Sequence, residues 1–288
     1  MSEVETLPLP KATGMLRELQ LATLKMMKKF DKVARENNIK YTLGAGSAIG
    51  AIVHKGFIPW DDDIDILMDR ENFDKFRALA SQILPPEILY KDYFTDQSMK
   101  VLLGKMVDKS TTMITVDQYG RETVSGVCID ISVFDSVPNG NFAKKLQWLK
   151  SVKALILVNG IAPQNHGGLV KFYGKLVLKF TKNKLKKVTK LTNKIKKYNK
   201  QNCTHVAEML YLGGNKIYFE NKMFEEFIDV EFEDTSLMIT KYYDYYLRKR
   251  YDRDYTTLPP KEKRISWHNC KYLNTEIGYE EYLKNNEI

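Results

Sequence analysis

The stretch Tyr41–Arg70 constrains the fold of this 288-residue chain more than any other part of the sequence. It places a turn containing Gly46 and Ser47 shortly before a run of aspartates that leads into an apolar strand. Side chains two residues apart on a strand point to the same face, so Asp63 and Asp65 stand side by side while their apolar neighbours turn towards the core. The pattern indicates a functional site at the start of this strand.

The paired carboxylates predict a metal site. Two parallel carboxylates repel each other unless a cation lies between them. Mg²⁺ suits Asp63 and Asp65, because it takes oxygen ligands and is often held by one or two carboxylates together with substrate phosphates. The backbone N–H groups of the Gly46–Ser47 turn point into the same region and favour an anion there. The alternative is an acidic solvated loop before an ordinary strand.

The order of turn, short helix and Asp-x-Asp strand resembles the nucleotidyltransferase superfamily. Within that superfamily, residues 54–66, HKGFIPWDDDIDI, are similar to the signature of the LicD family. Members of that family are phosphocholine transferases of bacterial surface polysaccharide synthesis and are related to the fukutins. The resemblance implies an α/β (α+β) fold class, with a nucleotidyltransferase-type mixed sheet, flanking helices and a catalytic core over residues 11–140.

A further carboxylate lies in a later apolar strand, GVCIDISVFD, at residues 126–135. Asp130 stands between Ile129 and Ile131, and a lone carboxylate is costly to bury without a partner. Metal coordination or a role as general base would explain it, and an aspartate that accepts backbone hydrogen bonds at a strand end is the alternative. Members of the superfamily commonly carry a third carboxylate on a later strand; Asp130 is the best candidate and Asp135 the second.

The resemblance implies transfer of phosphocholine from CDP-choline to a sugar hydroxyl of a lipid-linked teichoic acid or polysaccharide precursor, with release of CMP. Asp63, Asp65 and Asp130 would be catalytic, and together with Asp61 they would hold one or two Mg²⁺ ions. Two other functions remain open. A nucleotidyltransferase acting on a small molecule would use the same carboxylates, and a non-catalytic membrane-surface scaffold would use none of them.

The substrate-binding residues follow from the same resemblance. Trp60 is a candidate for holding choline, because quaternary ammonium groups bind over aromatic faces. The family often has an arginine where this chain has Val53, so Lys55 or Arg264 would supply that charge to a phosphate. A second stretch of similarity, near the C-terminal end, includes Arg264 to His268. The substrate-binding candidates are Gly46, Ser47, Lys55, Trp60, Arg264 and His268.

The segment Asn141–Lys200 differs from the rest of the chain in its charge. It contains sixteen Lys and no Asp, Glu or Arg, and removing these charges from the net charge of +9 leaves −7 for the remainder. An interrupted apolar stripe, which runs from Leu169 to Phe180 and from Val188 to Ile195, predicts a Lys-rich helical insertion. We rank an anionic membrane surface first as its partner and a solvated lobe second. Nucleic acid ranks last, because arginine is absent and aromatic residues are few.

The remaining regions complete the expected organisation. Residues 201–270 are expected to complete the catalytic domain, with a Tyr-rich helix over Leu237–Arg250, and residues 271–288 to form a polar tail. Three Cys without a close pair argue against a disulfide framework. Met1–Pro10 lacks the pattern of a signal peptide, and no apolar run approaches the roughly 18 residues of a membrane span. We therefore expect a cytoplasmic protein, peripheral at the inner face of the membrane.

Overall fold

A mixed sheet forms the centre of the fold in the computed structural model, which describes residues 7–115, 125–162, 167–211, 213–251, 254–266 and 270–286. The predicted α/β (α+β) class is confirmed. The strands are β1 (Thr42–Leu43), β2 (Asp65–Asp69), β3 (Ile88–Lys91), β4 (Gly104–Asp108), β5 (Thr112–Thr115), β6 (Cys128–Val137), β7 (His205–Ala207), β8 (Phe219–Glu220), β9 (Phe227–Phe232), β10 (Thr235–Thr240) and β11 (Cys270–Asn274). The helices are α1 (Gly14–Glu36), α2 (Ala45–Ile49), α3 (Arg70–Ile83), α4 (Asn141–Asn159), α5 (Gly167–Phe180), α6 (Lys184–Lys196), α7 (Tyr243–Tyr251) and α8 (Tyr279–Asn285), with a π-helical turn at Gly50–His54 and 3₁₀ turns at Lys197–Lys200, Asn221–Phe224 and Lys261–Lys263.

Strand β2 lies inside the sheet, whose order is β1-β2-β6-β4-β3, with β7 and β8 continuing from the far end of β6. The β2–β6 pair is parallel and the other neighbours are antiparallel. Ile64, Ile66 and Ile131 are completely buried around this pair, as expected for strands covered on both faces. The two strands that carry the candidate carboxylates are therefore held rigidly side by side.

Helices α1 and α3 pack on the sheet through apolar faces that the sequence spacing predicts. The predicted helix over residues 11–38 is observed at Gly14–Glu36, and it buries Phe30 edge-to-face on Phe76 of α3, with ring centroids 5.4 Å apart. Asp69 caps α3 by accepting a hydrogen bond from the backbone N–H of Asn72 at 2.7 Å. The cap turns the chain directly from β2 into α3 and so fixes the end of the site strand.

The Lys-rich segment is helical, as predicted, and consists of α4, α5 and α6. Its apolar stripe is divided between two environments: Val188 and Ile195 of α6 are completely buried, whereas Phe172 and Phe180 of α5 are exposed. Polar contacts join this lobe to the core, including the hydrogen bond from Gln147 Nε2 to the backbone oxygen of Ser136 at 2.8 Å. The lobe therefore adjoins the end of β6 that lies away from Asp130.

The predicted helix over Leu237–Arg250 is wrong in its first part. Residues up to Thr240 belong to β10, which pairs with β9, and the helix begins only at Tyr243. The consecutive apolar residues Leu237, Met238 and Ile239 are all buried in this strand. Periodicity does not separate a buried strand from a buried helical segment in such a short run.

The segment expected as a polar tail also has regular structure. Its first residues belong to β11, which pairs antiparallel with β5, and α8 follows. The backbone N–H of Tyr279 donates to Thr111 at 3.0 Å, which ties this segment to the core. Within the described ranges, none of the helices combines the length and apolar character that crossing a bilayer requires.

Candidate active site

The turn before β2 is locked to the strand that follows it. The backbone N–H of Gly44 donates to the backbone oxygen of Asp65 at 2.9 Å, and the N–H of Asp65 donates to the hydroxyl oxygen of Ser47 at 2.9 Å. The Ser47 side chain is 3% exposed, so the structure places it beneath the turn, where it holds the strand. Gly46 instead lines a cavity of about 500 Å³. Because a Cβ at Gly46 would meet Asp61 Oδ2, only glycine allows this carboxylate to lie so close to the turn.

Three of the predicted carboxylates converge on this cavity. Asp61, Asp63 and Asp65 all line it and are half-buried. Asp62 lies between them in the sequence but is buried and accepts a hydrogen bond from Ser266. Carboxylate oxygens of Asp61, Asp62 and Asp63 approach within 4.8 Å of one another. This oxygen-only donor set fits a hard divalent cation.

Asp130 lies directly beside Asp65, because the register of the parallel strands pairs these two residues. On its other side, Lys105 of β4 is the paired residue, and Lys105 Nζ lies 2.9 Å from Asp130 Oδ1. The charge of Asp130 raises the pKa of Lys105 above its usual value, which keeps the ammonium charged. Burial raises the pKa of the nearby Cys128 thiol, and the charges of Asp130 and Asp63 add to this effect. Asp65 of β2 and Asp130 of β6 are therefore neighbours on the sheet.

Asp135, the second candidate for a third carboxylate, is a structural residue in this fold. It is completely buried, and Arg70 Nε and NH2 each donate to it at 2.8 Å. Asn199 Nδ2 donates a further hydrogen bond at 2.8 Å. These contacts join α3, β6 and the lobe, which explains a buried carboxylate without any catalytic role.

Trp60 lines the cavity, but its ring is already in contact with a cation. The guanidinium carbon of Arg264 lies 5.3 Å from the ring centroid, and Arg264 Nε donates to the backbone oxygen of Pro259 at 2.9 Å. The two predicted substrate-binding residues are therefore brought together as a stacked pair. Only the other face and the edges of Trp60 remain for a choline group.

Lys55 and His54 end the π-helical turn in different environments. Lys55 has a left-handed φ of 56°, its side chain is exposed, and it is not among the residues that line the cavity. His54 lines the cavity and is 9% exposed, and burial lowers its pKa, so the ring is held neutral. No described residue offers a hydrogen-bond partner to His54 Nδ1.

Basic and aromatic residues also line the cavity, and sequence reasoning did not identify them. Arg250 and Lys263 line it together with Tyr211 and Tyr255. Arg250 NH1 donates to Glu208, a carboxylate that is 2% exposed. The pair fixes the guanidinium beside the cavity, with a side-chain exposure of 15%. The sequence signal for Arg250 was its position immediately before Tyr251.

His268, the last predicted substrate-binding residue, lies outside the described residues.

Lys105 is a further residue that sequence reasoning missed. The available signal was a single charged residue in the apolar run VLLGKMV at residues 101–107, which resembles the single aspartate among the apolar residues of β6. Lys105 and Asp130 are paired across the sheet.

Sheet, turn and carboxylates together define a nucleotidyltransferase-type domain, and comparison with known proteins agrees. A family model described as LicD/FKTN/FKRP, nucleotidyltransferase domain, matches residues 38–155. The chain is 30% identical over 278 residues to the Haemophilus influenzae protein named lipopolysaccharide cholinephosphotransferase LicD, which covers 88% of this chain and 96% of the relative. This chain belongs to the LicD family.

Two shorter matches involve uncharacterized proteins of Rickettsia. The Rickettsia prowazekii protein is 44% identical over 65 residues, and the Rickettsia typhi protein is 40% identical over 62 residues. Each match covers less than a quarter of either chain.

Proposed function

We propose that this chain transfers phosphocholine from CDP-choline to a sugar hydroxyl of a lipid-linked precursor of lipopolysaccharide or teichoic acid, releasing CMP. Membership of the LicD family and the name of the Haemophilus influenzae relative support the transferred group and a lipopolysaccharide acceptor. In this reaction the acceptor oxygen forms a bond to the choline-bearing phosphorus. The bond from that phosphorus to the bridging oxygen breaks, and the electron pair leaves with CMP.

The observation that carries the proposal is the register that places Asp130 beside Asp65; Asp65 lines the cavity, whereas Asp130 is not itself among the lining residues. One carboxylate adjoins the cation-binding cluster, while its neighbour accepts the acceptor's proton as general base. Lys105 Nζ, 2.9 Å from Asp130 Oδ1, holds this carboxylate in position.

Asp61, Asp63 and Asp65 are the residues that would hold Mg²⁺, with Asp130 beside them. A bound divalent ion supplies charge neutralisation for the diphosphate and for the leaving CMP. Asp61 and Asp63 lie in the segment before β2 and Asp65 is its first residue, and their half-buried positions give all three carboxylates access to the cavity.

Two cationic side chains of the protein, Arg250 and Lys263, line the same cavity as the carboxylates. Arg250 presents a planar guanidinium that Glu208 orients, and a guanidinium binds phosphate oxygens in a bidentate manner. Lys263 adds a second positive charge to the cavity lining. The donor diphosphate would therefore lie in the cavity between the carboxylates and Arg250, and Gly46 would allow the turn to approach the phosphate closely. Trp60 is one aromatic surface of the cavity for choline, and Tyr211, Tyr251 and Tyr255 are others.

The test is CMP release from CDP-choline in the presence of Mg²⁺ and a lipid-linked glycan extract. We expect wild-type protein to release CMP, and Asp63→Asn and Asp65→Asn to lose at least a hundredfold, since removing transition-state charge stabilisation costs on the order of 10²–10³ in rate. Asp234→Asn is the matched control, because Asp234 is an exposed aspartate, 71% accessible, that is absent from the cavity lining.

Product analysis separates this proposal from its alternatives. Pyrophosphate and a nucleotide-capped product would replace it with nucleotidyl transfer to a small molecule. An absence of metal-dependent turnover across donors, with lipid binding unaffected by Asp63→Asn, would favour a non-catalytic scaffold.

A further inference from the structure

Large apolar side chains are exposed on two adjacent helices of the Lys-rich lobe. Phe142 of α4 is 81% exposed, and Phe172 and Phe180 of α5 are 61% and 74% exposed. Burying a side chain of this type is worth about 1.5–3 kcal/mol, so leaving several of them exposed in one region needs an explanation. Further exposed apolar residues on the same helices are Leu146, Leu149, Tyr173 and Leu176.

The opposite side of the lobe shows that this exposure is selective. The apolar residues of α6, among them Val188, Leu191 and Ile195, are buried where α6 packs on α4. The stripe that the sequence shows as one feature is therefore two. The part on α6 forms the interior of the lobe, whereas Phe172, Tyr173, Leu176 and Phe180 of α5 face outwards.

The surroundings of the exposed residues are uniformly positive. Residues 141–200 contain no acidic side chain. Of the lobe lysines that the structure describes, Lys196 is the one that pairs with a carboxylate, Asp74, at 2.9 Å. Burial lowers the pKa of Lys153, and the charge of Lys187 lowers it further, as expected where positive charges lie together without compensation.

Charge and apolar surface meet in a cleft of about 550 Å³ between α4, α5 and α6. Leu176 and Phe180 give it an apolar side, and Lys153, Lys186 and Lys190 line it with ammonium groups. An apolar floor next to several cations matches the chemistry of an anionic phospholipid, whose phosphate and acyl chain are neighbours.

We propose that the outward face of α4 and α5 docks on an anionic lipid bilayer, with phospholipid phosphate groups held in the lysine-lined cleft. Phe142, Phe172 and Phe180 enter the boundary between headgroups and acyl chains, as the apolar face of an interfacial helix does. A second copy of the chain is a poor occupant, because two lobes of sixteen lysines each would repel one another. Docking goes beyond the proposed reaction and depends on surfaces separate from the cavity.

The test is co-flotation of the full-length protein with vesicles of neutral phosphatidylcholine, with and without phosphatidylglycerol, whose negative charge supplies the surface potential that attracts polybasic segments. Each lysine near an anionic surface contributes about fivefold to partitioning, so Lys182→Gln, Lys186→Gln and Lys190→Gln together should weaken binding on the order of a hundredfold. Lys25→Gln, Lys32→Gln and Lys100→Gln form the charge-matched control, since all three are exposed lysines outside the lobe.

The apolar part is tested separately. Phe172→Ser with Phe180→Ser should weaken binding at least tenfold, whereas Leu21→Ser, at a 47% exposed position of α1, should leave it unchanged. Equal binding to both vesicle types, equal effects of lobe and control lysines, or preferential capture by duplex DNA would overturn the proposal. CMP release in detergent-dispersed acceptor is unaffected by these variants, which separates a failure of docking from a failure of the proposed reaction.

Discussion

Replacing Gly46 with alanine separates the position of a site carboxylate from the stability of the fold. A Cβ at this position meets Asp61 Oδ2 and comes within 3.3 Å of Asp61 Cγ. Alanine is a better helix former than glycine by about 1 kcal/mol, and Gly46 lies within α2 at a negative φ. The carboxylate is the end of a flexible side chain and moves aside, so the change affects the cation site rather than the backbone.

A displacement of about 1 Å at a reacting centre costs on the order of a hundredfold in rate, or about 2.7 kcal/mol. We therefore expect Gly46→Ala to lower kcat/KM for CMP release by about that factor, with an unchanged or slightly higher melting temperature. The Mg²⁺ concentration at half-maximal activity should rise. Activity is measured across a Mg²⁺ titration, and stability by thermal unfolding.

Gly140→Ala is the matched control, because no atom of the described chain lies within 4 Å of a Cβ at Gly140. A Gly46→Ala protein with wild-type kcat/KM and wild-type Mg²⁺ dependence would refute the assignment of Asp61 to the cation site. A melting temperature several degrees lower would show instead that the turn, and not the carboxylate, absorbs the strain.

Three further predictions concern charged groups. Asp130→Asn should abolish CMP release with little loss of stability, whereas Asp135→Asn should cost about 3–5 kcal/mol in chemical denaturation, because Arg70 is then left buried without its partner; the reverse pattern would exchange their roles. Arg250→Lys keeps a charge beside Glu208 but loses the planar fork, so KM for the donor should rise about tenfold with kcat nearly unchanged; a KM within twofold of wild type would exclude Arg250 from donor binding. Although burial opposes it, hydrogen bonds from Arg17 and Lys11 lower the pKa of Glu233 to about 2. The stabilising contribution of Glu233 is therefore present above pH 4.5 and is lost as the pH falls from 4.5 towards 2. Glu233→Gln should flatten the pH dependence of the denaturation midpoint across that window, and an unchanged slope would contradict the coupling.

The carboxylate cluster could be predicted because its information is local. Asp63 precedes β2 and Asp65 begins it, and both are half-buried on either side of the buried Ile64, as the predicted alternation requires. The apolar neighbours of Asp130 mark it as anomalous. The pairing of Asp65 with Asp130 needed the parallel register, which arises from contacts between segments sixty-five residues apart. No local pattern carries that information.

The basic and aromatic part of the cavity lining could not be predicted for the same reason. Arg250 and Tyr211 come from different elements and meet only because β7, α7 and the intervening turns fold against the sheet. The hydroxyl oxygen of Ser47 accepts a backbone hydrogen bond from Asp65, a structural contact that the sequence did not indicate; its contact with phosphate stays a prediction. The strand assignment of Leu237–Ile239 depended on the pairing partner β9, which sequence periodicity does not reveal.

Glu233, at the turn between β9 and β10, contacts two distant parts of the chain. Its carboxylate binds Arg17 of α1 at 2.7 and 2.9 Å, and Gly56 of the signature segment packs against it. Its own backbone N–H donates to the backbone oxygen of Lys55 at 2.7 Å. The segment 55–64 with its aspartates, helix α1 and the β9–β10 hairpin should therefore open as one cooperative unit in hydrogen exchange. Loss of the first turns of α1 would then loosen the segment 55–64 well before the central sheet unfolds.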